Sequence, residues 1–244
     1  MPIFHPYGIF IALAIFAAYL VARFRLKSYD LTSDQLDSLF LWIIPPAIIG
    51  ARLYHVIDKF SYYQTNPVEI IAVWYGGLGI YGAVAGGLIG IFLFSRKSDK
   101  ANMSYKANKI LDLLVPSVLI AQAIGRIGNY FNFEVFGGPT NLPWGWFIPE
   151  PLRPSFWKNF SYFHPTFLYE SLWLFLGFFL SLKINRHFLG FYCLWYGVGR
   201  FFLEFLRFDT AEIGGVKVAQ VISLGLVALG IVLIERERRN HLLP

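Results

Sequence analysis

Apolar residues in this chain fall into long unbroken blocks, separated by short stretches where glycine, proline and charge gather. Blocks at 7–22, 37–57, 70–94, 108–130, 165–183, 188–206 and 216–235 each approach the roughly 20 residues that a helix needs to cross a hydrocarbon core. None shows the strict alternation of a half-buried strand. The pattern predicts an all-α integral membrane protein with seven transmembrane helices. No linker, repeat or low-complexity tract divides it, so a single transmembrane domain over 1–244 is expected, with a long loop at 131–164.

Composition agrees with this pattern. The 244 residues are 56% hydrophobic, 19% aromatic and only 15% charged, against about 25% charged in soluble domains. The net charge of +6 does not form one nucleic-acid patch. Instead, Arg23, Arg25, Lys27, Arg96, Lys97, Lys100, Lys106, Lys109, Lys183, Arg186, Arg236, Arg238 and Arg239 all fall between or after blocks on one side, thirteen of the 21 basic residues. By the positive-inside rule that side is cytoplasmic, so the N-terminus is expected outside and the C-terminus inside. MPIFHPYG has no basic n-region, so the first helix is expected to stay as an anchor. Cys193, the one cysteine, lies in FYCLWY; it is expected to be a buried packing thiol, and it excludes an internal disulfide and a thiolate metal site.

Against this background the stretch Gly125–Gly138, GRIGNYFNFEVFGG, is unusually polar. An ionised arginine at the bilayer centre costs roughly 2.5–3.5 kcal/mol, so Arg126 is expected to face a protein cavity or a bound anion. Arg126 and Asn129 are three apart and share a helix face. Gly125 and Gly128 admit close helix approach or a local break, and Asn132, Glu134, Gly137 and Gly138 continue the polar strip into the external loop. A second group, Tyr196-Gly-Val-Gly-Arg200-Phe-Phe-Leu-Glu204-Phe-Leu-Arg207, places residues 200, 204 and 207 within about 40° on a helix. Glu204 is therefore expected to pair with both Arg200 and Arg207. Two guanidiniums against one carboxylate leave a surplus positive charge suited to an anionic headgroup, though a purely structural ion triad is an alternative.

Several other polar residues carry open readings. His164-Pro165-Thr166-Phe167-Leu168-Tyr169-Glu170 starts the fifth helix, with Pro165 suited to a first turn and Glu170 about one turn inside the membrane. His164 is either an interfacial residue or one that positions substrate or shuttles a proton. Gly82, Gly86 and Gly90 form a packing face, whereas the irregular Gly76-Gly77-Leu78-Gly79 start and the hydroxyl of Tyr81 suit a cavity lining. Tyr7 reads as an interfacial anchor or a site residue, and Arg52 and Asp112 read as structural partners of other buried polar groups.

Together these residues resemble the prolipoprotein diacylglyceryl transferases of bacteria. The family signature, Gly-Arg-x-Gly-Asn, two residues, Asn-x-Glu, two residues, then Gly, is matched in full from Gly125 to Gly137. Similarity extends to the Tyr7-Gly8 start, the glycine-rich third helix, His-Pro-x-x-Leu-Tyr-Glu at 164–170 and Tyr-Gly-x-x-Arg-x-x-x-Glu-x-x-Arg at 196–207. The resemblance implies a multi-pass enzyme of the bacterial inner membrane with its active site towards the outer leaflet. Its implied partners are phosphatidylglycerol, the prolipoprotein signal peptide with its lipobox cysteine, and the surrounding membrane lipids; no metal, cofactor or nucleic acid is implied.

In that reading Arg126 and Arg200 are the essential arginines, and Tyr7, Asn129, Asn132, Glu134, Gly137, Glu204 and Arg207 complete the phosphatidylglycerol site. Members often carry a histidine, assigned as base, where this chain has Tyr81. Either Tyr81 only positions the headgroup, or His164 or a field-activated thiolate takes over, because a phenol of pKa about 10 is a poor base at neutral pH. An anion carrier, a scaffold and a transferase with another acceptor are the rival classes. A carrier predicts matched broken helices or internal repeats, which the sequence lacks.

Overall fold

The computed structural model describes residues 6–29, 31–98, 103–184 and 187–240. His5, Lys100 and Arg186 lie outside them. Among the described residues there are seven long helices, α1 (Pro6–Arg25), α2 (Ser33–Asp58), α4 (Ile80–Ser98), α5 (Met103–Asn132), α6 (Thr166–Ser181), α7 (Phe188–Leu203) and α8 (Val218–Asn240), and a short α3 (Phe60–Thr65). Every apolar block of the sequence contains one long helix. The segments Pro6–Tyr29, Ser33–Asp58, Ala107–Asn132 and Val218–Arg239 are long and apolar enough to cross a membrane, and Ile80–Arg96 and Thr166–Ser181 are shorter apolar helices. The fold class is all-α and membrane-embedded.

Two blocks differ from expectation at their ends. The third becomes α-helical only at Ile80, not at 70: Pro67–Ile71 and Val73–Tyr75 are separate 3₁₀ turns. Gly76 and Gly77 follow with φ of 85° and 71°, values that glycine adopts freely and that interrupt a right-handed helix. The apolar run resembled a helix in composition, but the glycine pair sets the chain direction. The sixth block stops being α-helical at Leu203, and Glu204–Leu206 tightens into a 3₁₀ turn.

The chain divides into two compact units, one comprising Arg23–Leu111 and the other comprising Met1–Ala22 with Asp112–Pro244. In the Arg23–Leu111 unit, the glycines expected to pack do so against α2. A Cβ on Gly82, Gly86 or Gly90 would collide with the carbonyl oxygen of Gly50, Pro46 or Trp42 respectively. The two backbones therefore touch, as small residues allow in membrane helices. Arg52 of α2 is buried and donates to backbone carbonyls throughout the irregular segment before α4. Nε reaches Ile70 O at 2.8 Å, Nη1 reaches Gly76 O at 2.6 Å and Gly77 O at 3.1 Å, and Nη2 reaches Glu69 O. Glu69 O also accepts from Ala72 N at the end of its 3₁₀ turn, and the guanidinium supplies a donor to all four carbonyls.

In the other unit a core of Val115, Leu119, Ala123, Leu174 and Phe188 joins α5, α6 and α7. Asp112 Oδ1 accepts from Leu189 N at 3.2 Å, placing a carboxylate at the positive end of α7. This is the structural role expected of it. Cys193 is buried. Helices α6 and α7 are joined by a reciprocal contact. Trp173 Nε1 donates to Trp195 O and Trp195 Nε1 donates to Trp173 O, each at 3.0 Å. The rings stack 4.1 Å apart at 11°, and Gly177 and Gly199 make room for them, since a Cβ on either would overlap the opposite indole.

The 131–164 loop carries secondary structure of its own. Two short strands, β1 (Trp146–Phe147) and β2 (Tyr162–Phe163), pair antiparallel with Trp146 opposite Phe163. Their inward face packs with Phe136 and Ile148. A second pair, β3 (Glu212–Ile213) and β4 (Val216–Lys217), precedes α8.

Candidate functional site

The site is built where the end of α5, the start of α6 and the end of α7 are brought together. Helix α5 runs unbroken through Gly125 and Gly128 to Asn132, so these glycines do not break it. At Gly128 they serve close approach. A Cβ there would sit 3.0 Å from Phe10 Cβ and from Tyr7 Cδ2 of α1, which places Tyr7 against the turn carrying Arg126 and Asn129.

Beyond Asn132 the backbone enters an uncommon conformation. Phe133 and Val135 adopt φ of 53° and 58°, a region where a β-branched residue is a genuine outlier. Surrounding contacts hold it there. The Phe133 ring stacks on Trp146 at 5.5 Å and 4°, and Val135 O accepts from Thr166 Oγ1 at 2.7 Å and from Phe167 N at 2.9 Å. That carbonyl takes up free donors of the first turn of α6, whose N-cap is Pro165. Next, Gly137 N donates to His164 O at 2.8 Å and Gly138 N donates to Leu206 O at 3.0 Å. Only glycine fits at 137, because a Cβ would lie 2.6 Å from Leu206 O.

Three arginines converge on this junction. Arg126 Nε lies 2.6 Å from Glu170 Oε2. Arg200 Nη1 lies 3.1 Å from Glu170 Oε1, while its Nη2 lies 2.6 Å from Glu204 Oε2. Arg207 Nη1 reaches Glu170 Oε1 at 3.5 Å, and its Nε and Nη2 fork onto Asp209, each at 3.1 Å.

Glu204 therefore does not pair with both Arg200 and Arg207 as helical spacing predicted. The helix ends between them, and Arg207 leaves in an extended conformation with φ −89° and ψ 147°. Glu170 of α6, in place of Glu204, is the carboxylate shared by all three. Lys217 fixes this non-helical exit by donating to Glu204 O at 2.9 Å and to Arg207 O.

Glu170 and Glu204 are buried, Glu204 completely, whereas Asp209 is 43% exposed and faces solvent screening. Three guanidiniums thus meet two buried carboxylates, and the interior keeps one surplus positive charge. Arg126 uses only Nε in its ion pair; among the described residues its Nη1 and Nη2 have no partner. These free donors form a planar fork suited to phosphate or carboxylate oxygens. At the rim, Asn129 and Asn132 donate to the two oxygens of Glu134 over long distances of 3.4 and 3.5 Å.

The structure thus gathers Arg126, Arg200, Arg207 and Glu204 into one cluster, with Tyr7, Asn129, Asn132, Glu134, Gly137 and His164 on the segments that form it. Tyr81 belongs to the other unit, as the second residue of α4; it is exposed there and its ring lies 5.6 Å from Tyr54. Sequence reasoning did not place Glu170 in the site, nor Asp209 and Lys217. One signal was available for Glu170, since it is the only charged residue in α6 and a lone carboxylate in an apolar span marks function.

The family model described as prolipoprotein diacylglyceryl transferase matches residues 2–236. A phosphatidylglycerol–prolipoprotein diacylglyceryl transferase of Thermosynechococcus vestitus is 38% identical over 232 residues, covering 92% of this chain and 85% of the relative. The Fervidobacterium nodosum protein of that name is 41% identical over 232 residues, covering 92% and 78%. The Nostoc sp. protein is 39% identical over 238 residues, covering 92% and 82%. With a model matched along almost its whole length and its arginine-bearing signature folded into one ion cluster, the chain belongs to the prolipoprotein diacylglyceryl transferase family.

Proposed function

We propose that the protein transfers the diacylglyceryl group of phosphatidylglycerol to the lipobox cysteine of exported prolipoproteins. The thiolate sulfur bonds to the terminal glycerol carbon, the carbon–oxygen bond to phosphate breaks, and its electron pair leaves on glycerol phosphate. The observation that carries this reading is the surplus guanidinium charge around Glu170, with the Nη donors of Arg126 uncommitted. Negative charge grows on the leaving phosphate as the bond breaks, and fixed donors in a dry site stabilise it without reorganising.

Arg126 and Arg200 hold the phosphate, with Arg207 and Glu204 setting their charge and orientation. Tyr7, Asn129, Asn132, Glu134 and Gly137 form the wall around the glycerol headgroup. Tyr81 enters this reading only as a hydroxyl that positions substrate. A thiol with pKa near 8.5 is only a few per cent ionised there, so the positive field also helps to hold the attacking thiolate. The reading requires no metal and no cofactor.

The protein acts in this reading as one catalytic domain of the bacterial inner membrane, with the N-terminus and the 131–164 loop outside and the active site towards the outer leaflet. Helices α6 and α7 support that depth. At 16 residues each they reach about 24 Å, short of the roughly 30 Å hydrocarbon thickness. The ion cluster occupies their shared end, where irregular backbone is tolerated only when protein surrounds it.

The test is to incubate the purified protein with phosphatidylglycerol and a lipobox peptide, following peptide mass and released glycerol phosphate, with a Cys→Ser peptide as control. A diacylglyceryl gain that depends on the cysteine is expected. Lipid binding without any mass gain would overturn the transferase reading in favour of an anionic-lipid carrier.

A further inference from the structure

Trp144, in the loop before β1, donates its indole Nε1–H to the Tyr169 hydroxyl at 2.8 Å. The same hydroxyl lies 3.4 Å from His164 Nδ1. An indole nitrogen can only donate, so the Tyr169 oxygen is the acceptor in the first contact. Its own hydrogen is then free, and His164 Nδ1 is the acceptor that the structure places beside it. A nitrogen that accepts in a neutral imidazole carries no proton, which puts the proton on the other nitrogen. Among the described residues Nε2 has no partner.

We infer that Trp144 and Tyr169 are positioning residues that lock neutral His164 in its Nε2–H tautomer, so that it offers a hydrogen bond to an anionic oxygen and does not take the thiol proton. The chain of donors runs in one direction, from the external loop through α6 to the residue whose backbone carbonyl accepts from Gly137 N. In this tautomer the basic lone pair of His164 is occupied by Tyr169, and Nε2 has none to offer. The donor role rests on the transferase reading, because the anionic oxygen it serves is that of the leaving phosphate. The tautomer itself does not depend on that reading.

Two measurements test the inference, one independent of activity. In full-length protein labelled with ¹⁵N-histidine, the His164 signals are assigned as those lost in His164→Gln among the five histidines. An unprotonated Nδ1 and a protonated Nε2 are expected, with Tyr169→Phe populating the Nδ1–H form. An Nδ1–H tautomer in the unaltered protein, or no change in Tyr169→Phe, would overturn the lock; the first would mean that the Tyr169 oxygen accepts twice.

The second measurement compares kcat for phosphatidylglycerol and lipobox peptide. Glutamine places an amide donor near the Nε2 position but cannot act as a base. His164→Gln is therefore expected to keep about ten- to a hundredfold more activity than His164→Ala, the range for one hydrogen bond to a charged group. Equal loss in both variants would overturn the donor role. If unaltered protein fails to lipidate the peptide at all, the transferase reading falls while the tautomer result stands.

Discussion

Arg52 and Arg126 are both arginines of apolar helices, and they solve the cost of burial in opposite ways. Arg52 aims its guanidinium at four backbone carbonyls of one irregular segment, with the Tyr63 ring 5.3 Å away. Its donors are committed to the chain itself, and it organises backbone. Arg126 meets a single carboxylate shared with two other arginines, and its Nη groups are left over. A guanidinium at membrane depth therefore signals a ligand only when its donors exceed the acceptors that the fold provides. The number of intramembrane arginines does not separate these cases; the partner atoms do.

The widest separation is expected from removing each arginine. Arg126→Ala should lower transfer to the lipobox peptide by about a hundred- to a thousandfold, the effect of deleting one preorganised donor. Its thermal midpoint, read in a detergent melting assay, should fall less than that of Arg52→Met, because Glu170 keeps Arg200 and Arg207 as partners. Arg52→Met should do the reverse in origin, removing the donor shared by four backbone carbonyls before α4, at about 1–3 kcal/mol for each one left unpaired, so that folded yield and melting temperature fall first. Activity lost in Arg52→Met at unchanged stability would break the contrast.

Glu170→Gln should fall between these two. It removes the charge that three guanidiniums share, and breaking a buried pair from one side costs about 3–5 kcal/mol. Both melting temperature and transfer should decline. Unchanged stability would mean that the arginine cluster does not need its central carboxylate. Arg126→Lys should retain charge but lose the planar fork, with an expected drop of at least about tenfold. The smallest effect is expected from Tyr81→Phe, less than about tenfold, because one positioning hydrogen bond to a neutral group contributes little. A complete loss in Tyr81→Phe would give the phenol a chemical role.

Much of this was legible in the sequence because lipid imposes a single demand, uniform apolarity, and every block that met it contains a helix. The arginine strip was legible for the same reason, as charge that the lipid would not tolerate. Pairing was not legible. Glu204 and Arg207 share a face only if the helix continues, and the turn at Glu204–Leu206 changes that. Glu170 is central through Arg126, Arg200 and Arg207, which lie far from it in the chain, and helical spacing carries no information about such partners. The run before Gly76 read as helix because its composition is apolar, whereas carbonyls held by Arg52 and two left-handed glycines decide its path.

The Trp173–Trp195 pair also sets a mechanical limit. Because each indole is bonded to the other helix's backbone and nests over the other helix's glycine, a slip of one residue along the seam, about 1.5 Å, would break both hydrogen bonds and drive both rings into new side chains at once. The α6–α7 seam therefore behaves like a detent with a single stop and not like a sliding bearing. Glu170, three residues before Trp173, and Arg200, five residues after Trp195, keep their spacing through any wider motion. A lipid leaving the site must do so by displacing something other than this seam.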